Sequence, residues 1–134
     1  MLSGDTDFSL TVDETRALCR DVVAIWKETV GRGPTYASAY TGPASTTIVL
    51  RDVLTQSERI LTEQGEQKHV REARRMLFDA ARASLISAVE RSSGRPVEAA
   101  LYDVDPVHDT CALTFIFAVP ARGDQRADAG PASA

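Results

Sequence analysis

The stretch GRGPTYASAYTGPASTTIVL, residues 31–50, decides the fold because a later stretch follows the same plan. In each, a helical run ends at a glycine, and an arginine and a proline lead into an extended run, a turn and a second extended run. The later stretch is GRPVEAALYDVDPVHDTCALTFIFAV, residues 94–119. Three pairs of residues align at one offset: Pro34 with Pro96, Ala37 with Ala99, and Tyr40 with Tyr102. The sequence therefore predicts two α-β-β units.

Capping motifs and hydrophobic periodicity define the individual elements. Thr11 with Glu14, and Thr55 with Glu58, have the spacing of capping boxes, in which a hydroxyl and a carboxylate satisfy the first free amides of a helix. Runs of β-branched or apolar residues bounded by Gly, Pro or Asp predict strands. The predicted helices cover residues 11–30, 57–63 and 67–92, and the predicted strands cover residues 35–41, 45–53, 97–104 and 112–119.

Alternation along the predicted strands assigns each residue to one face of a sheet. The predicted core face carries Ile48, Leu50, Val97, Ala99, Leu101, Leu113, Phe115, Phe117 and Val119. The sequence thus predicts an α+β fold, a two-layer sandwich in which a four-stranded, mainly antiparallel sheet carries its helices on one face. The element order is that of a ferredoxin-like chain whose first strand has moved to its end.

The other face of the predicted sheet is unusually apolar for a face in contact with solvent. Tyrosine combines apolar area with one hydroxyl, which suits a protein interface. We therefore expect this face to bind a second copy of the chain or another subunit. The alternative is a semi-polar face covered by the short helix or by the C-terminal tail. The predicted interface residues are Tyr36, Tyr40, Val49, Arg51, Tyr102 and Ile116.

Length and composition indicate one globular domain. The 134 residues are 43% hydrophobic and 25% charged, as in soluble proteins. A net charge of −4 and a pI of about 5.1 argue against general nucleic-acid binding. No run approaches the ~20 apolar residues of a membrane span, and no signal peptide is recognisable. We expect a cytoplasmic protein without direct membrane insertion, with a flexible segment (residues 1–10), one domain (residues 11–119) and a disordered tail (residues 120–134).

Basic residues on the long helix are candidate contacts for a ligand or a partner. Lys68, Arg71, Arg75 and Arg82 lie on one side of it, but interleaved acidic residues fit a solvated, salt-bridged face equally well. Arg74 lies nearer the apolar face, where a guanidinium either extends to solvent or pairs with a buried carboxylate. The candidate contacts are Trp26, Arg71, Arg74 and Arg75.

Signals for catalysis or metal binding are sparse. Three carboxylates and one imidazole occur within residues 103–109, yet the same composition is typical of a hairpin turn. The weak metal-ligand candidates are Asp103, Asp105, His108 and Asp109. No nucleophile–histidine motif or phosphate-binding glycine loop occurs, and Cys19 and Cys111 are isolated, as free thiols are. We expect no bound metal, no cofactor and no enzymatic activity.

The order of several motifs carries a family resemblance. In the first half, Gly-Arg-Gly-Pro follows an amphipathic helix, and an apolar strand leads to Val53-Leu54-Thr55 and a helix that starts with Ser-Glu. In the second half, a long basic helix precedes Leu101-Tyr102-Asp103-Val104-Asp105-Pro106 and an apolar last strand. Over residues 11–119 this order resembles the MpsC-like family, formerly a bacterial domain of unknown function. The family is named after the third component of a cation-translocating, membrane-potential-generating system linked to inorganic-carbon uptake.

The resemblance implies a small protein that accompanies or regulates membrane machinery, with no catalytic residues to carry over. We therefore expect a non-catalytic accessory or regulatory protein that acts through protein–protein contacts, as a homodimer or with a membrane transporter subunit. One alternative is a stand-alone small-molecule-binding module, with a pocket between the helices and the sheet or across a dimer seam, near Trp26, Arg74 and the tyrosines. A weaker alternative is a small enzyme that uses the loop of residues 103–109.

Overall fold

A computed structural model describes residues 10–119. The segments predicted to be flexible or disordered, residues 1–10 and 120–134, lie outside this range except for Leu10. The elements are α1 (Val12–Val30), β1 (Tyr36–Thr41), β2 (Ser45–Arg51), α2 (Gln56–Glu63), α3 (Gln67–Ser93), β3 (Val97–Asp105) and β4 (Thr110–Phe117). The helices and strands therefore occur in the predicted order.

Both predicted capping boxes are present. Thr11 Oγ1 accepts a hydrogen bond from the amide of Glu14 at 3.0 Å, and the Glu14 carboxylate accepts one from the Thr11 amide at 2.8 Å. Thr55 and Glu58 repeat this arrangement at the start of α2. The long helices end at glycines with left-handed backbones, Gly31 at φ 87° and Gly94 at φ 71°. None of the helices within residues 10–119 is long and apolar enough to cross a membrane.

The four strands form one antiparallel sheet in the order β1-β2-β4-β3. Each α-β-β unit contributes one hairpin, so β2 and β4 meet in the centre while β1 and β3 form the two edges. Helices α1 and α3 pack against each other and on one face, with α1 beside β1 and α3 beside β3. This confirms the predicted α+β architecture, and the strand order is that of a ferredoxin-like sheet after the permutation described above.

The core lies between the two long helices and the sheet. Its largest buried side chains are Leu18, Val22 and Trp26 of α1, Val70, Phe78 and Leu85 of α3, and Ile48, Leu50, Leu113 and Phe115 of the central strands. Trp26, Phe78 and Tyr102 form an aromatic cluster, in which the rings of Phe78 and Tyr102 stack with centroids 5.1 Å apart. Burial of these apolar groups holds the helix layer on the sheet.

The predicted faces of β3 are wrong beyond its first residue. Val97 pairs with Phe117 but Ala99 pairs with Ile116, so the strand contains a β-bulge between Val97 and Ala99. Because one extra residue reverses the alternation, Leu101 points away from the core and is 56% exposed. The residues of β3 that face the core are Val97, Ala100, Tyr102 and Val104.

Candidate functional site

The face of the sheet opposite the two long helices, here called the outer face, carries most of the predicted interface residues. Alternation with buried neighbours places Tyr36, Tyr40, Val49, Arg51 and Ile116 on it. Tyr40 is 60% exposed, and Tyr36 is also open to solvent. Leu101, which the sequence assigned to the core, lies on this face opposite Thr114.

Polar contacts fix the side chains of the outer face across the strands. Thr47 of β2 and Thr114 of β4 share a hydrogen bond of 2.9 Å between their hydroxyl oxygens. The guanidinium of Arg51 lies 5.6 Å from the centre of the Tyr36 ring, a cation–π contact between β2 and β1. The face therefore offers apolar and aromatic area in a defined arrangement, with polar groups between.

Tyr102 and Trp26 belong to the core, contrary to their prediction as contact residues. Tyr102 is 5% exposed and Trp26 is 1% exposed, and their ring centroids are 5.0 Å apart. Burial raises the pKa of the Tyr102 hydroxyl above its ordinary value. The bulge in β3 turns Tyr102 inward, and the helical spacing of Trp26 from Leu18 and Val22 places it on the buried stripe of α1. Neither side chain is accessible to a partner.

Arg74 of α3 is a fully buried arginine. Its Nε donates to Glu58 Oε2 at 2.7 Å and its Nη2 donates to Glu58 Oε1 at 2.6 Å, a two-point contact with one carboxylate. Nη2 also donates to the backbone carbonyl of Val53 at 2.6 Å. Of the two arrangements expected for this guanidinium, the structure shows pairing with a carboxylate, that of Glu58, whose side chain is partly buried. Arg74 therefore joins α3 to α2 and to the loop after β2 and does not face a ligand.

Glu58 serves the helix cap and the ion pair with the same carboxylate. Its Oε1 accepts hydrogen bonds from the amide of Thr55 at 2.9 Å and from Arg74. Burial raises the pKa of Glu58, but hydrogen bonds from Arg74 and Thr55 outweigh it and leave the pKa below its ordinary value. The sequence indicates the capping box, whereas the second role of Glu58 depends on a tertiary contact that no local motif reveals.

Asp109 holds the loop that precedes α2. Its backbone is left-handed, at φ 51°, and its Oδ1 accepts hydrogen bonds from the amides of Val53 at 2.7 Å and Leu54 at 2.9 Å. Asp52, also left-handed at φ 60°, forms a salt bridge with Arg32 at 2.6 Å. The carboxylate of Asp109 is thus occupied by backbone amides of the other hairpin, and its position is structural.

The remaining metal-ligand candidates do not converge. His108 Nδ1 lies 2.9 Å from Asp105 Oδ2, and the His108 amide donates to the other oxygen of the same carboxylate, as in a hydrogen-bonded turn. Asp103 lies in β3 on the outer face, and Asp109 points to the loop after β2. Within residues 10–119 no group of three His, Cys, Asp or Glu side chains is arranged to hold a metal ion.

Arg75 and Arg82 bind the backbone of the edge strand β3. Arg75 Nη2 donates to the carbonyl of Tyr102 at 2.7 Å, and Arg82 Nη1 donates to the carbonyl of Ala100 at 3.0 Å. Arg71 is exposed and, with Arg75, lines a shallow pocket of about 560 Å³ beside β3. Of the predicted contact residues on α3, Arg71 and Arg75 are therefore the ones that reach the surface.

The two cysteines are free thiols, as predicted. Burial raises the pKa of Cys111 to about 12, with smaller contributions from its neighbours. Burial also raises the pKa of Cys19. Because the thiolate is the nucleophilic form, both residues have low reactivity near neutral pH.

A groove that sequence reasoning missed runs between α1 and β1. It has a volume of about 800 Å³. Its lining includes the small side chains of Ala37 and Ala39 from β1 and the longer side chains of Arg16, Arg20 and Val23 from α1. The alternation of small residues in β1 is the sequence signal, since alanines on the helix side of an edge strand leave space beneath the helix.

No curated protein and no solved structure matches the sequence. The family model described as "Na+-translocating membrane potential-generating system (MpsC)" matches residues 13–119, which is most of the chain. The match agrees with the resemblance inferred from the motif order and spans both α-β-β units. The chain belongs to the MpsC family.

Proposed function

We propose that the protein is a non-catalytic accessory subunit that acts from the cytoplasmic side on a membrane-embedded, cation-translocating partner. The family description, which names a Na+-translocating system, supports this partner class. The resemblance links such systems to inorganic-carbon uptake, and we extend the proposal to that process. The observation that carries the proposal is the outer face, an aromatic and apolar surface on the side of the sheet opposite the long helices.

The outer face suits reversible docking because its exposed residues combine apolar area with polar groups. Tyr40 and Leu101 are 60% and 56% exposed, respectively. They lie at the two ends of one row across the sheet, with Thr47 and Thr114 between them. Tyrosine is enriched at protein interfaces for this reason. The alternative is a homodimer formed through the same face. In that case the purified protein has the mass of a dimer, not of a monomer.

The test is a pull-down of the tagged protein from gently solubilised membranes of the native host, read by mass spectrometry. We expect an integral membrane transporter subunit to be enriched with the native sequence and lost with the double variant Tyr40→Asp/Leu101→Asp. The matched control is Met76→Asp, which adds a charge at a residue of α3 that is 71% exposed. Retention of the transporter by the double variant would contradict docking through the outer face.

Light scattering on the purified protein distinguishes docking of a membrane subunit from formation of a homodimer. A monomeric mass for the native protein supports docking of a different subunit, whereas a dimer that Tyr40→Asp/Leu101→Asp converts to monomer supports the homodimer. A dimer that persists in the double variant places the self-contact elsewhere. Absence of any membrane protein in every pull-down would overturn the accessory role.

A further inference from the structure

Among residues 10–119, no strand pairs with the outer edge of β1. The amide of Gly42 donates to the carbonyl of Ser45 at 2.9 Å, which makes this a hydrogen-bonded pair of the β1-β2 hairpin. Hydrogen-bonded and non-hydrogen-bonded pairs alternate along an antiparallel ladder. With the observed register, the amides and carbonyls of Ala37, Ala39 and Thr41 therefore point away from β2. Within the described part of the chain, these backbone groups have no strand partner.

This edge lacks the features by which proteins block added strands. Its sequence, Tyr-Ala-Ser-Ala-Tyr-Thr, contains no charged residue and no proline. Its pairing with β2 runs from Tyr36 to Thr41 without a bulge. The edge is therefore regular and chemically able to accept another strand.

The groove beside this edge is positively charged. Arg16 and Arg20 of α1 line it, and its lining contains no aspartate or glutamate. Among the salt bridges of residues 10–119, none involves Arg16 or Arg20. Two guanidinium groups thus line a strip of small side chains, Ala37 and Ala39, and form no salt bridge with another residue of the range 10–119.

We propose that an extended, acidic segment of a partner protein adds to β1 as a fifth strand. Its backbone pairs with Ala37, Ala39 and Thr41, and its carboxylates lie against Arg16 and Arg20. Strand addition of this kind gains affinity from main-chain hydrogen bonds and specificity from the side chains of alternate residues. The proposal rests on the proposed function only in that the occupant belongs to a protein. It concerns the edge of β1 and the groove beside it, which share Tyr40 with the outer face.

Charge distinguishes this occupant from a second copy of the chain. Two copies that paired through β1 about a two-fold axis would bring equivalent α1 helices together. The arginines of one groove would then face the same arginines of the other, and like charges across an interface oppose binding. An acidic strand has the complementary charge.

The first experiment measures binding of a fluorescent peptide of alternating glutamate and valine by anisotropy. A peptide of equal length with lysine in place of glutamate is the control. We expect the acidic peptide to bind, and the double variant Arg16→Glu/Arg20→Glu to weaken binding by about tenfold or more. Arg91→Glu, the same change at an exposed arginine of α3 outside the proposed site, should leave binding unchanged. No binding at about 1 mM peptide, or equal binding of the lysine peptide, would overturn the proposal.

The second experiment tests strand pairing itself. Hydrogen exchange followed by NMR should show that the acidic peptide protects the amides of Ala37, Ala39 and Thr41. The variant Ala39→Pro removes one outward-facing donor at an edge position that tolerates proline, and should weaken binding while thermal unfolding stays cooperative. Binding without this protection contradicts strand addition.

Protection that appears without peptide and grows with protein concentration would identify a second copy as the occupant and overturn the acidic strand. Peptide binding together with failure of the membrane pull-down would refute the proposed function and leave this inference standing. Enrichment of a transporter subunit without peptide binding would refute this inference and leave the proposed function standing.

Discussion

The two edges of the sheet occupy equivalent places in the two α-β-β units, yet the structure treats them differently. At β3, Arg75 and Arg82 of the neighbouring helix donate to backbone carbonyls of the strand. At β1, no side chain of the neighbouring helix α1 donates to a strand carbonyl, and Arg16 and Arg20 line an open groove instead. Arg75 and Arg82 of α3 therefore contribute to the fold, whereas Arg16 and Arg20 of α1 remain exposed.

The long helices of the two α-β-β units therefore differ in what their arginines contact. In α3, Arg74, Arg75 and Arg82 donate to backbone carbonyls and to the Glu58 carboxylate. In α1, Arg16 and Arg20 are exposed. We expect mutation of the three arginines of α3 to lower stability, and mutation of Arg16 and Arg20 to affect the proposed binding instead.

The largest expected effect is at Arg74. Arg74→Ala leaves the Glu58 carboxylate without its partner in a buried setting, and breaking a buried ion pair in this way costs about 3–5 kcal/mol. The matched change in the first unit, Arg20→Ala, should alter the free energy of unfolding by less than about 0.5 kcal/mol, since Arg20 is exposed. Urea unfolding followed by circular dichroism measures both. Similar losses of unfolding free energy in Arg74→Ala and Arg20→Ala would show that the two arginines do not differ in their contribution to stability.

A smaller effect is expected at the β3 edge. Arg75→Ala and Arg82→Ala each remove the donor to one β3 carbonyl, at a cost of about 1 kcal/mol each. The double variant should also self-associate as protein concentration rises, because an uncovered edge accepts other strands. Light scattering checks this, with Arg71→Ala as the control, since Arg71 donates to neither carbonyl. A double variant that stays monomeric would show that these arginines do not close the edge.

The smallest effect is a change in pH dependence. Because the pKa of Glu58 is lowered in the folded protein, its contribution to stability is present above the ordinary pKa of glutamate, about 4.3, and is lost as the pH falls through the lower folded value. Glu58→Gln should therefore flatten the decline in stability below that pH. Glu14→Gln, the same position of the other capping box, is the control because no arginine pairs with it in the described structure. An unchanged acid decline in Glu58→Gln would contradict the role of this ion pair.

The sequence predicted those features that depend on local patterns. Helix starts followed from Thr and Glu spacing, helix ends from glycines, and the layered architecture from the repeated element order. The contact residues depended on knowing which way each strand faces. That assignment failed in β3, because a bulge is a property of the pairing with β4 and leaves no clear mark in the strand itself.

For the buried polar residue Arg74, the sequence left two arrangements open and could not choose between them. Arg74 lies on the core stripe of α3 with Val70 and Phe78. A buried arginine is stable there because Glu58 lies 16 positions earlier in the sequence, beyond any helical or strand period. Spacing rules describe neighbours within one element, so a partner on another element escapes them.

The β-bulge between Val97 and Ala99 also bears on how such a repeat diverges. With the offset that aligns the two units, Tyr40 corresponds to Tyr102, yet one side chain is in solvent and the other in the core. One residue of additional strand length exchanges the inside and outside of every position that follows, without any change of amino acid. A change of length by one residue can thus give the two α-β-β units different surfaces. An alignment of the first unit with the second therefore needs a gap at the bulge before aligned side chains are assigned to the same face of the sheet.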